Sequence, residues 1–244
     1  MARFVLVHGS FHGAWCWERL TPLLEAAGHQ TTVPNLPASG GDPAPMENAD
    51  LDAYATRVAG VIDGIAGQVI LVGHSMGGIV SAQVAELRPH RLAAVVYVNG
   101  LMLRDGESLG SFLDAHAHLE VDDLVLKNMV VSADGAEARF PAEKAADVFY
   151  GACAPDAAAW AAARLGPQRT KVYGDRLRLT PERFGTVRRA YVRGLKDNAV
   201  SLAYQDAMLG RTPCDSVFDI DGDHSPFLSA PERLAGILDQ VAAA

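Results

Sequence analysis

Short uninterrupted apolar runs alternate with amphipathic stretches through the first hundred residues. Phe4–Val7 is four apolar residues closed by His8-Gly9, Val69–Val72 is a second such run, and Leu92–Val98 a third. Runs of this length without polar alternation mark strands buried on both faces. Thr31–Val33 reads as a further strand, and Pro34 then opens a Pro/Gly-rich loop reaching to about Asp50. Between the strands, Trp17–Ala27 carries Leu20, Leu23 and Leu24 at helical spacing and stops at Gly28. Leu51–Ile65 sets Tyr54, Val58, Val61, Ile62 and Ile65 along one helical face, and Ile79–Leu87 forms the next helix. Strands joined by helices imply right-handed crossovers and a parallel sheet covered on both faces.

The alternation breaks after Gly100. From Leu101 to about Arg183 come Ala-rich helical pieces and one hairpin pattern, VVSADGAEARF, with Asp134-Gly135 as its turn. It resumes with Ala190–Val192 as a strand, Ser201–Leu209 as a helix, Val217–Ile220 as a strand and Pro231–Val241 as a closing helix. About 80 residues are too many for a structureless loop. The expected fold class is therefore α/β: a mostly parallel, doubly wound sheet with an inserted helical lid. Residues 1–100 and 184–244 form the sheet core, and residues 101–183 form the lid.

Composition narrows the function classes. The chain has 244 residues, 49% hydrophobic and 20% charged, with a formal net charge of −8. That is ordinary for a globular domain and excludes a disordered chain or a coiled coil. The acidic balance argues against nucleic-acid or anionic-membrane partners, which call for basic patches. Cys16, Cys153 and Cys214 have the wrong number and spacing for a disulfide framework, and no His/Cys/carboxylate cluster has metal-ligand spacing. No phosphate loop or dinucleotide fingerprint is present, so no cofactor is expected. No apolar run approaches a membrane span, and the expected location is the cytoplasm.

Gly73-His74-Ser75-Met76-Gly77 is a G-x-S-x-G motif directly after the strand VILV and directly before a helix. That context is the one a nucleophile elbow requires, with the serine lifted above the sheet and the helix N-terminus aimed at it. A serine hydroxyl needs a base, and the base needs an orienting acid, in the chain order Ser, Asp or Glu, His. Of the eight histidines, His224 alone follows the last strand, in the polar loop DIDGDHSPF. His8, His12 and His74 precede Ser75, and His74 should turn its ring elsewhere. His29 and His90 sit at helix ends and read as surface residues; His116 and His118 lie in the lid. For the acid, Asp197 follows the strand AYV in a short loop, with Asp175, Asp221 and Asp223 as rivals. Backbone N–H groups of Met76 and of Ser10, in the loop after the first strand, are the expected oxyanion donors.

With these residues placed, the chain resembles the α/β-hydrolase superfamily, most closely the branch of plant methyl esterases, hydroxynitrile lyases and bacterial esterase relatives. The segments that carry the resemblance are VLVHGSFHGAWCW, LLEAAGH, VILVGHSMGG, RRAYVRGLKDNAV and GDHSPFLSAPERLA. It implies Ser75 as nucleophile, Asp197 as orienting acid, His224 as base, and donors at Ser10 and Met76. The branch's cyanohydrin-cleaving lyases carry Thr after the first motif histidine and Lys after the catalytic one. Here those positions are Gly9 and Ser225.

The expectation is a cofactor-independent serine carboxylesterase acting on small to medium uncharged esters. Phe11, His12, Met129, Phe149, Trp160 and Phe227 are candidate pocket walls. A hydroxynitrile-lyase-like or other tailoring enzyme, and a non-hydrolytic small-molecule receptor, are the alternatives on the same fold. The expected partner is the small-molecule ester itself, and self-association as a homodimer is left open.

Overall fold

A computed structural model describes all of residues 1–244. The first part of the chain runs β1 (Arg3–Val7), α1 (Thr21–Ala26), β2 (Gln30–Thr32), α2 (Leu51–Asp63), β3 (Val69–His74), α3 (Gly77–Leu87) and β4 (Leu92–Val98). A middle part follows with α4 (Leu109–Ala115), α5 (Leu124–Asn128), β5 (Val130–Val131), β6 (Glu137–Arg139), α6 (Ala142–Phe149), α7 (Pro155–Ala162), β7 (Gln168–Arg169) and α8 (Lys171–Gly174). The last part is β8 (Arg189–Gly194), α9 (Leu202–Arg211), β9 (Ser216–Ile220), α10 (Pro226–Ser229) and α11 (Pro231–Ala243). Six strands form one sheet in the order β2-β1-β3-β4-β8-β9, every neighbouring pair parallel. The sheet is the doubly wound one expected from the apolar runs.

Its two faces follow from the period of two along each strand. Val5 and Val7 of β1 face an apolar layer shared with α2 and α3, whereas Phe4 and Leu6 face the layer under α1 and α11. The central strand β3 is buried at all six positions, which is why it shows no polar alternation. Strands β4 and β8 pair directly, with Val96 opposite Ala190, although the whole middle part lies between them in sequence. The middle part starts over the carboxyl edge of the sheet, after β4, and returns to the amino edge, where parallel β8 begins. Its final stretch makes that return: Leu177, Leu179, Phe184 and Val187 join the α2–α3 layer.

The expected hairpin forms as β5 and β6, turning at Gly135, whose φ is +73°. Two-residue β7, which carries no period to read, adds a third antiparallel strand, so the lid holds a small sheet beside its helices. Two expectations need correction. The helix expected over Trp17–Ala27 is split into a 3-10 turn, Ala14–Trp17, and α1. Pro22 stands in the first turn of α1, where its missing N–H is harmless and its fixed φ favours a fresh start. His29 is not a surface residue: it is 8% exposed, takes the Ala2 amide at 3.1 Å and bonds Asp239 at 3.0 Å.

Candidate active site

Ser75 joins β3 to α3 with a φ of +53°, in the left-handed region that a non-glycine residue enters only under constraint. The surrounding backbone supplies that constraint. Its N–H donates to Val98 O at 3.3 Å, and its carbonyl accepts from Gly78 and Leu101 at 2.9 Å each. The motif glycines are needed for close approach. A Cβ at Gly73 would stand 2.4 Å from Gly77 O, and one at Gly77 would stand 2.6 Å from Val7 O and 2.8 Å from His8 O. These obstacles are backbone atoms, so no side-chain rotation relieves them. The amides of Ser10 and Met76 donate to no carbonyl of the protein, and Met76 sits at the N-terminal end of α3, where the helix dipole favours negative charge.

Asp197 lies just past β8, and its side chain is fully buried. Oδ1 accepts from the amides of Ala199 (2.7 Å) and Val200 (2.8 Å), and Oδ2 accepts from His224 Nδ1 (2.8 Å). A carboxylate only accepts here, so Nδ1 carries the imidazole proton and Nε2 keeps its lone pair. The rival acids are engaged elsewhere. Asp175 caps α2 by accepting from Leu51 (3.0 Å) and pairs with Lys171, while Asp221 pairs with exposed Lys196 at 2.8 Å. Asp223 is buried but holds structure: Oδ1 accepts from Ser225 (3.0 Å) and Ser229 Oγ (2.7 Å), and Oδ2 from the Ala152 amide (2.9 Å). It thereby ties the turn after α6 to the loop that carries His224.

Three further histidines surround the site, each buried and kept neutral. Burial pushes His8 down to about 4 and His12 to about 3, and it holds His74 well below the usual imidazole range, with His224 nearby adding to the effect. His74 does turn away from Ser75, but it goes to His224: its Nε2–H donates to His224 O at 2.8 Å, with ring centroids 4.5 Å apart. His12 Nδ1–H donates to Ser10 O at 2.7 Å, and its Nε2 accepts from Tyr150 Oη at 2.8 Å. His8 bridges Gly9 O (2.9 Å) and the Leu36 amide (3.1 Å). These neutral rings fix the loop that bears Ser10 and the backbone that bears His224. Position in the sequence does not reveal such roles; the tertiary partners create them.

Ser10, Ser75 and His224 open into one cavity of about 220 Å³ with mostly apolar walls. Phe11, Met129 and Phe149 line it. His12, Trp160 and Phe227 lie off it: Phe227 is wholly buried against Trp17 and His74, and Trp160 packs on Trp15 with Arg164 over its ring. Sequence reading missed other wall residues, among them Leu109, Leu113, Asp123, Tyr173 and Tyr204. Leu109 and Leu113 had a signal in their i, i+4 spacing on α4; the others had none.

Comparison with known proteins places the chain in a family. The model of the Alpha/beta hydrolase family matches residues 4–237. The chain belongs to that family. Among its alpha/beta hydrolase relatives, Methylesterase 7 of Arabidopsis thaliana is 31% identical over 250 residues, covering 98% of this chain and 96% of the relative. Alpha-hydroxynitrile lyase of the same plant is 30% identical, covering 98% and 96%. The crystal structure of polyneuridine aldehyde esterase superposes with a TM-score of 0.88 at 25% identity, covering 99% of each chain. The chain spans little more than half, 56%, of the longer chloroplastic methylesterase relatives.

Proposed function

We propose that this alpha/beta hydrolase is a serine carboxylesterase for small to medium esters. The observation that carries the reading is the buried 2.8 Å Asp197–His224 pair, whose histidine shares one apolar cavity with Ser75 on its strained turn. Ser75 Oγ attacks the ester carbonyl while His224 Nε2 takes its proton. The amides of Ser10 and Met76 stabilise the oxyanion, and collapse expels the alcohol, which takes the proton back from His224. Water, deprotonated by His224, then attacks the acyl-enzyme and releases the carboxylic acid with Ser75 restored. Asp197 holds the tautomer and stabilises the imidazolium. The esterase names among the relatives support this reading.

A relative named as a hydroxynitrile lyase keeps the second chemistry in view. Two features weigh against it here. A Cβ at Gly9 would stand 2.7 Å from Ser75 Cβ, leaving no room for a threonine at that backbone position. Ser225 is fully buried, and no lysine lines the cavity to hold a departing cyanide. Ser75→Ala abolishes nitrophenyl-ester hydrolysis on this account, and cyanohydrin cleavage assayed beside it stays at background. Undiminished ester turnover by Ser75→Ala would sink the mechanism; cyanohydrin cleavage outpacing hydrolysis would transfer the same residues to lyase chemistry.

A further inference from the structure

We infer that Asp123 makes the cavity selective for esters that carry an organic cation. The inference rests on the esterase reading above and replaces the uncharged esters expected from the sequence with cationic ones. Among the residues lining the cavity, Asp123 is the one carboxylate, and no Lys or Arg stands with it. The basic residue of α5, Lys127, pairs with exposed Asp122 instead. Asp123 is half-buried, and that burial raises its pKa. A carboxylate partly removed from water without a counter-ion is costly unless something compensates it.

Helix capping engages one oxygen of the carboxylate, and no side chain pairs with the other. Oδ1 accepts from the Leu126 amide at 2.9 Å and caps α5. Serine or asparagine would cap as well with no charge facing the cavity. Around the same cavity stand Phe149, Tyr173 and Tyr204, and the Tyr204 phenol, raised mainly by burial, is raised further by Asp123 nearby. Aromatic faces with a carboxylate form the chemistry that receives alkylammonium groups. A cationic group on the substrate would supply the missing counter-charge, while the same carboxylate would repel an anionic acid product.

The test uses two esters of one shape, acetylcholine and 3,3-dimethylbutyl acetate, which differ by a charged nitrogen against a neutral carbon. Wild type is expected to favour acetylcholine about tenfold in kcat/KM, corresponding to about 1.4 kcal/mol. Asp123→Asn keeps the cap, which its melting temperature checks, and brings the ratio close to one. The same pair of variants is titrated calorimetrically with choline and with 3,3-dimethylbutanol, so the preference is read without turnover. Equal treatment of both esters by wild type, or a preference that survives in Asp123→Asn, overturns the inference. If p-nitrophenyl acetate is not hydrolysed, the esterase reading fails by itself, and the choline titration still decides the role of Asp123.

Discussion

Replacing Asp197 with asparagine separates catalytic from structural roles within one side chain. The amides of Ala199 and Val200 both point at Oδ1, at 2.7 and 2.8 Å. An asparagine must therefore keep its oxygen there, since an NH₂ group in that place would face two donors. Its NH₂ then occupies the Oδ2 position, 2.8 Å from His224 Nδ1. The imidazole answers by accepting at Nδ1 and moving its proton to Nε2, the nitrogen that should take the Ser75 proton. Loss of the base tautomer costs roughly four orders of magnitude in turnover, or about 5 kcal/mol of barrier. Stability suffers far less, because the hydrogen-bond count is kept and only the charge assistance is lost, about 1–2 kcal/mol. For a domain of this size that lowers the melting temperature by about 2–8 °C, so the fold survives at assay temperature. Initial rates of p-nitrophenyl acetate hydrolysis, paired with thermal melts, measure both. Asp175→Asn serves as control, because Asp175 bonds Leu51 and Lys171 away from the cavity; its rate should stay within about twofold of wild type. More than a tenth of the activity left in Asp197→Asn, or an equal loss in Asp175→Asn, would refute the assignment.

Two other perturbations follow from the same structure. Gly77→Ala would press its methyl against Val7 O and His8 O, so α3 must retreat from β1. A stability loss of about 3 kcal/mol and at least a hundredfold drop in kcat are expected, and a wild-type melting curve with normal activity would contradict the crowding argument. Acid stability should follow the buried histidines. His8 and His12 are held at about 4 and about 3 in the folded chain, against about 6.5 when unfolded. The unfolded state binds more protons between those limits, so stability is full above about pH 6.5 and falls as pH drops toward 4. Each of the two contributes a loss of about 2 kcal/mol by pH 5. Urea unfolding at pH 7.5 and pH 5 measures this, and equal stability at the two values would show that the rings are not held neutral.

Much of this architecture could be read before any coordinates. The four inner sheet strands were legible because burial on both faces leaves unbroken apolar runs, as in β3 and β4; the half-exposed edge strands β2 and β9 were legible from their place in the strand–helix alternation. The elbow was legible because close backbone packing demands glycine at 73 and 77, and His224 because it follows the last strand. The middle part was legible only in its hairpin, through the Asp134-Gly135 turn. Its strand β5 exposes Val130 and Val131 at 60% and 44%, so burial does not mark it, and two-residue β7 has no period. The cavity wall draws on α4, α5, α8 and α9, and its members become neighbours only through tertiary packing. Trp160 and Phe227 illustrate the converse: large apolar residues near the site in sequence reasoning spend their area on packing. The catalytic role proposed for Asp197 depends on two backbone amides and one imidazole that no local pattern brings together.

The account stands on a covalent intermediate at Ser75. Rapid mixing with a p-nitrophenyl ester, followed within a second or so by acid quench and peptide mass analysis, tests that directly. The account predicts a nitrophenol burst approaching one equivalent per chain and the acyl mass on the peptide containing Ser75. Turnover with no acylated peptide, or the acyl group on another residue, would contradict it.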